Sequence, residues 1–158
     1  MPTITKKRLA ERQFGGVPYG NHTTLHYELA TAANGGALDA DSTAPIASGD
    51  VVRLGTIPAG TKLQDLQAIV STTFSASVTG SIGFAYVDGV DVAAVPQAAN
   101  FFLNNQSLAT AGRFRMNTAN PPVTIPKDAY LILTTGGAGN AKVSKLDVLL
   151  ECELVGAP

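Results

Sequence analysis

Residues 53–91 read RLGTIPAGTKLQDLQAIVSTTFSASVTGSIGFAYVDGVD, and the rhythm of this stretch decides the fold. Leu66, Ala68, Val70 and Phe74 fall on one side of an extended chain with Thr72, while Asp65, Gln67, Ser71 and Thr73 fall on the other with Ile69. Alternation of this kind marks a strand with one buried face. After a polar bend over residues 75–80, Ile82, Phe84 and Tyr86 alternate with Gly83, Ala85 and Val87. Asp88-Gly89 then supplies a two-residue hairpin signal that returns the chain through Val90, Val92 and Val95. Two such rows facing one another predict an all-β chain, an antiparallel β-sandwich of jelly-roll type.

Working outward, the same pattern recurs on both sides. Leu25, Tyr27 and Leu29 alternate with His26, Glu28 and Ala30, predicting a first strand, and Val52 and Leu54 begin the next with Arg53 on the opposite side. Ile57-Pro58 and Ile125-Pro126 each precede a loop and then a Leu at the same offset, Leu63 and Leu131. Proline cannot donate to a ladder, so both pairs are read as turns between strands, whether as a pseudo-repeat or as two solutions to one problem. Residues 130–135 are apolar on both faces, which predicts a central strand or one whose second face meets another subunit. At the C-terminal end Leu146, Val148, Leu150, Cys152 and Leu154 point one way, and Lys145, Asp147, Glu151 and Glu153 the other with Leu149. Residues 96–110 break the alternation and carry Phe101, Phe102 and Leu103. They are read as an excursion, either covering one end of the sandwich or offering aromatics outward.

The 158 residues suffice for one domain. Residues 25–158 are assigned to the sandwich and residues 1–24 to an N-terminal arm, because the latter lack alternation and are broken by Gly15, Gly16, Pro18 and Gly20. Charged residues make up 15% of the chain, against about 25% in typical soluble domains. A surface so poor in charge suits a protein packed against other proteins. The net charge of −1 argues against whole-domain attraction to nucleic acid. Its distribution is uneven: Lys6, Lys7, Arg8 and Arg12 against Glu11 leave +3 in the first twenty residues and −4 in the remainder. The arm is therefore a candidate docking device, with Phe14, Val17 and Tyr19 as its apolar anchors. No apolar run approaches the roughly 18 residues of a membrane helix, and no apolar signal region follows the basic N-terminus.

No catalytic, cofactor-binding or metal-binding constellation emerges. Cys152 is the single cysteine and sits in the apolar row of its strand, a packing position. His22 and His26 would lie about 13 Å apart on one face of a strand, at roughly 3.3 Å per residue, too far to share a metal. Asp39, Asp41 and Ser42 fail to complete a calcium loop, since neither the turn glycine nor the closing glutamate follows. Residues 136–140, GGAGN, lack the following helix of a phosphate-binding loop.

Three segments, DVVRLGTIPAGTKLQDLQAIVST, SIGFAYVDGVDV and IPKDAYLILTTGG, resemble stretches of tailed-bacteriophage capsid decoration (cement) proteins, and the likeness runs from about Gly49 to the C-terminus. That resemblance implies a virion structural protein bound outside the capsid shell, a homotrimer whose partner is the major capsid protein, made in the host cytoplasm. It implies no cofactor and no enzymatic activity. Two other readings stay open at this point: another virion component, such as a head-tail connector, tail or receptor-binding protein, and a carbohydrate-binding β-sandwich module.

Overall fold

The computed structural model describes residues 3–6 and 21–154. Ten strands make up the regular structure: β1 (Thr3–Thr5), β2 (His22–Ala30), β3 (Val51–Ile57), β4 (Thr61–Thr72), β5 (Thr79–Tyr86), β6 (Ala98–Ser107), β7 (Gly112–Arg115), β8 (Val123–Thr124), β9 (Ala129–Gly136) and β10 (Lys145–Leu154). One sheet runs β1-β3-β9-β5-β6 and the other β2-β10-β4-β7, with β8 also on β4. From β2 to β5 each successive strand crosses to the opposite sheet, and the chain crosses back before β7 and again around β9 and β10. With β1 and β8 as additions to the two five-stranded sheets, the remaining interleaved orders β3-β9-β5-β6 and β2-β10-β4-β7 are those of a jelly roll. Every strand pair is antiparallel except β1 with β3.

The core lies between the sheets. Leu146, Val148, Leu150 and Cys152 of β10 are fully buried, against Leu66, Ala68 and Val70 of β4 in register. Facing them are Ile82, Phe84 and Tyr86 of β5 and Leu131 and Leu133 of β9. β9 is a central strand, between β3 and β5. The two Ile-Pro turns meet at one end of the sandwich. Gly60 N–H donates to Ile125 O at 2.9 Å and Ile125 N–H to Thr61 O at 3.0 Å, while Ala59 N–H donates to Asp128 Oδ1 at 2.8 Å.

Four features depart from the sequence reading. β4 contains a bulge: Leu63 pairs with Cys152 and Asp65 with Glu151, leaving Gln64 as the extra residue. The buried row therefore changes parity from Thr61 and Leu63 to Leu66, Ala68 and Val70. Asp88-Gly89 does make a tight turn, with Gly89 at φ +70° and its N–H on Tyr86 O at 3.0 Å. The next strand nevertheless starts only at Ala98, because Asp91 Oδ1 accepts from Gln97 N–H at 2.8 Å and holds the intervening residues as a loop. The stretch read as an excursion is strand β6, whose register against β5 shifts twice. Those shifts bury Phe101, Phe102 and Leu103 consecutively and erase the alternation by which a strand is recognised. Finally, Thr3–Thr5 form a strand with Ile4 in the core, and residues 22–24 open β2, although their lack of alternation groups both with the arm.

Candidate interaction surface

The two outer faces of the sandwich differ in chemistry. Strands β2, β4, β7 and β10 carry nine charged residues, Glu28, Lys62, Asp65, Arg113, Arg115, Lys145, Asp147, Glu151 and Glu153. They are tied to one another across the sheet. Asp65 pairs with Arg115, Glu28 with Lys145 at 3.3 Å, and Lys62 with Glu153 at 3.9 Å. His26 Nε2 lies 2.8 Å from Asp147 Oδ1, Gln67 accepts from Arg113 Nη1 at 2.6 Å, and its amide donates to Glu151 at 3.3 Å. Such exposed pairs add little stability each, but together they make a wettable lattice with its charges matched internally. The Asp65 contact also raises the Arg115 guanidinium above its ordinary value.

The opposite sheet contains a single charged residue, Arg53, in all of β1, β3, β5, β6 and β9. Since Val52, Leu131, Leu133, Ile82 and Phe84 point inward, alternation turns Val51, Arg53, Tyr130, Ile132, Thr134, Ser81 and Ala85 outward. Arg53 lies over the Tyr130 ring, 4.6 Å from its centroid, so even this cation is laid flat on the face. Ile132 is 6% exposed despite facing out, between Arg53 and Gly83 in register. The Thr134 hydroxyl is shielded from solvent and has no hydrogen-bond partner. A carboxylate-free sheet face of this kind is cheap to dehydrate, because Arg53, already laid on the Tyr130 ring, is the one ion on it that would lose water. The doubly apolar reading of residues 130–135 signalled this face; the Arg53–Tyr130 stack carried no sequence signal.

The residues singled out from sequence are placed as follows. Lys6 is buried, its ammonium donating to Leu38 O, so its charge turns into the fold. Lys7, Arg8, Arg12, Phe14, Val17 and Tyr19 lie outside the described residues. Phe101 and Phe102 are turned inward, 8% and 0% exposed. Phe101 packs edge to face on Phe84 at 5.4 Å and on Phe102 at 4.9 Å. Of the two readings of that stretch, the chain takes the inward one.

The chemistry-bearing side chains have packing or turn roles. Burial pushes the Cys152 thiol up to about 11. Asp41 Oδ1 accepts from Thr5 N–H at 2.8 Å and thereby fastens β1. The GGAGN turn ends in Asn140, which is 2% exposed. Its Oδ1 accepts from Ser75 N–H at 3.0 Å, its Nδ2 faces Ser144 Oγ at 2.9 Å and Lys142 O at 3.0 Å, and its N–H donates to Ile46 O at 2.8 Å. Far from a loose loop, this residue bolts three connections together at one end of the sandwich. Among the described residues no group of three His, Cys, Asp or Glu side chains is placed to hold a metal ion.

Among solved structures, this jelly roll is similar in fold to chains from phage capsids. A chain from the capsid of Ralstonia phage GP4 superposes with a TM-score of 0.69 at 13% identity, covering 99% of this chain and 100% of that one. A chain from the cyanophage Pam1 capsid asymmetric unit gives 0.57 at 11% identity, covering 92% of this chain and 95% of that one. At these identities the likeness is one of fold. No protein-family model matches the sequence, and no curated protein matches it.

Proposed function

We propose that the chain is a capsid component of a tailed phage that binds the outside of the shell and cements neighbouring capsomers, with the major capsid protein as partner and a homotrimer as its working form. The observation that carries this reading is the correspondence in fold with the GP4 capsid chain over 99% of this chain and 100% of that one. The charge-poor face of β3, β9 and β5 supports it, since an assembly contact needs a surface that dehydrates easily. The basic segment containing Lys7, Arg8 and Arg12 supplies the complementary element. It steers the chain to an acidic patch on the shell, and Phe14, Val17 and Tyr19 then bury apolar area at about 25 cal/mol per Å².

The test is co-sedimentation of purified chain with shells that lack it, across a salt series. Saturable binding that strengthens the shell against heat is expected. Replacing Lys7, Arg8 and Arg12 by Gln should weaken binding at low salt and matter less at high salt, where screening is complete within a few ångströms. Absence of binding at any salt concentration would overturn the proposal.

A further inference from the structure

Each sheet has two edges, and their protection is unequal. β1 is only three residues long, and Asp41 closes it: Thr5 N–H donates to the Asp41 carboxylate and Asp41 N–H to Thr5 O, both at 2.8 Å. β6 is covered by the residues after β7. Asn117 exchanges hydrogen bonds with Asn104 at 2.8 and 3.2 Å, and Asn120 Nδ2 donates to Phe101 O at 2.7 Å. β7 and β8 have four and two residues, with Pro121-Pro122 between them. β2 has nine residues, no proline, glycine or lysine, and an unbroken register with β10. Sheets ordinarily blunt a long regular edge because its unpaired backbone groups recruit another strand.

The direction of those groups follows from the ends of the ladder. Thr31 N–H donates to Ser144 O at 3.0 Å and Asn21 O accepts from Leu154 N–H at 2.8 Å, so the odd-numbered residues address β10. His22, Thr24, His26 and Glu28 therefore point their N–H and C=O groups away from it, and none of these backbone groups pairs with another strand of the described residues. Leu38 N–H on Ala30 O at 2.9 Å closes the edge just beyond Glu28. On the inner side, Leu25 is only partly buried against the core.

We propose that β2 pairs with β2 of a second copy, antiparallel, about a two-fold axis at Leu25. In that register all four outward-directed residues exchange both backbone hydrogen bonds with their opposites. His22 faces Glu28 of the second copy and Thr24 faces His26, so the exposed side pairs acid with imidazole at both ends. On the inner side Leu25 meets Leu25 of the second copy. Sliding the strands by two residues either way sets Thr24 or His26 against itself and strands one end of the row. The self-complementarity of HTTLHYE in this single register is what selects a second copy as the occupant. In a shell built from trimers, such pairing would link one trimer to the next, but the contact does not depend on the capsid reading.

Sedimentation velocity of the full-length protein alone, over a range of concentrations, tests it without any particle present. Reversible doubling of the mass of the smallest species is expected. Thr24→Pro removes an N–H that points to the open edge and leaves the β10 ladder intact, and should weaken association at least tenfold. As a variant that leaves the backbone untouched, His22→Glu sets acid against acid twice per pair and should weaken it by roughly tenfold. Adding Glu28→Lys should restore it. Mass that does not change with concentration, association indifferent to Thr24→Pro in a folded variant, or failure of the double exchange to rescue His22→Glu would each overturn the proposal. Retained particle binding by a chain that never self-associates would assign the edge to another protein's strand instead.

Discussion

The ring of Tyr27 lies across Gly55, so near that a Cβ on the glycine would stand 2.4 Å from Tyr27 Cε1. β2 belongs to one sheet and β3 to the other, and the Tyr27 hydroxyl donates to Thr56 O at 2.9 Å. The pair thus closes the side of the sandwich where the sheets meet. Gly55→Ala must push the ring or the strand away and should cost about 1–3 kcal/mol, as overpacking does. Tyr27→Phe should cost about 1 kcal/mol, the hydrogen bond alone. Thermal melts of the two variants check the order.

Asn140 should be the most sensitive polar residue. Asn140→Ala leaves the half-buried Ser75 N–H without its acceptor and removes the amide that joins Ser144 and Lys142. A loss of about 2–4 kcal/mol is expected. Urea denaturation should show the midpoint falling with the slope unchanged.

Alkaline pH should unfold the chain through two groups. Burial raises the Cys152 thiol from 9.0 to about 11, and it raises the Tyr27 phenol above 10.0, with the nearby thiol adding to the effect. Both hold their protons more tightly folded than unfolded. The associated stability is present in full below pH 9 and is lost as pH rises through that window, by on the order of 2 kcal/mol at pH 11. Urea midpoints measured from pH 8 to 11 should decline in the parent chain and flatten in the Cys152→Ala, Tyr27→Phe variant.

A charge placed on the face of β3, β9 and β5 should damage assembly and spare the fold. Ala85 points outward beside Tyr130 and is partly exposed. Ala85→Glu should lower particle occupancy at least tenfold, because the new carboxylate must be dehydrated without a partner. Its melting temperature should move by no more than a few degrees.

What was legible in the sequence follows from which strands keep a strict period. β10 pairs over its length with Leu146, Val148, Leu150 and Cys152 all inward, so its face could be read residue by residue. Leu150→Ala should accordingly cost about 2–5 kcal/mol. β6 was hidden because two register shifts make three consecutive side chains face the core. β1 was hidden because one buried residue, Ile4, cannot display a period. Asn140 was hidden because its partners come from separate loops, joined only in three dimensions. The charge-poor face was half visible: residues 130–135 announced a strand apolar on both sides, but the scarcity of charge is a property of five strands far apart in the chain.

In the proposed assembly this jelly roll sits on the outside of a phage shell with its charge-poor face against a neighbour. A cryo-electron microscopy density map of virions containing the chain tests that most directly. The sandwich is expected on the outer capsid surface, with Tyr130 and Ala85 covered by an adjacent chain. Density for the sandwich in the tail or connector, or on the shell with that face open to solvent, would contradict it.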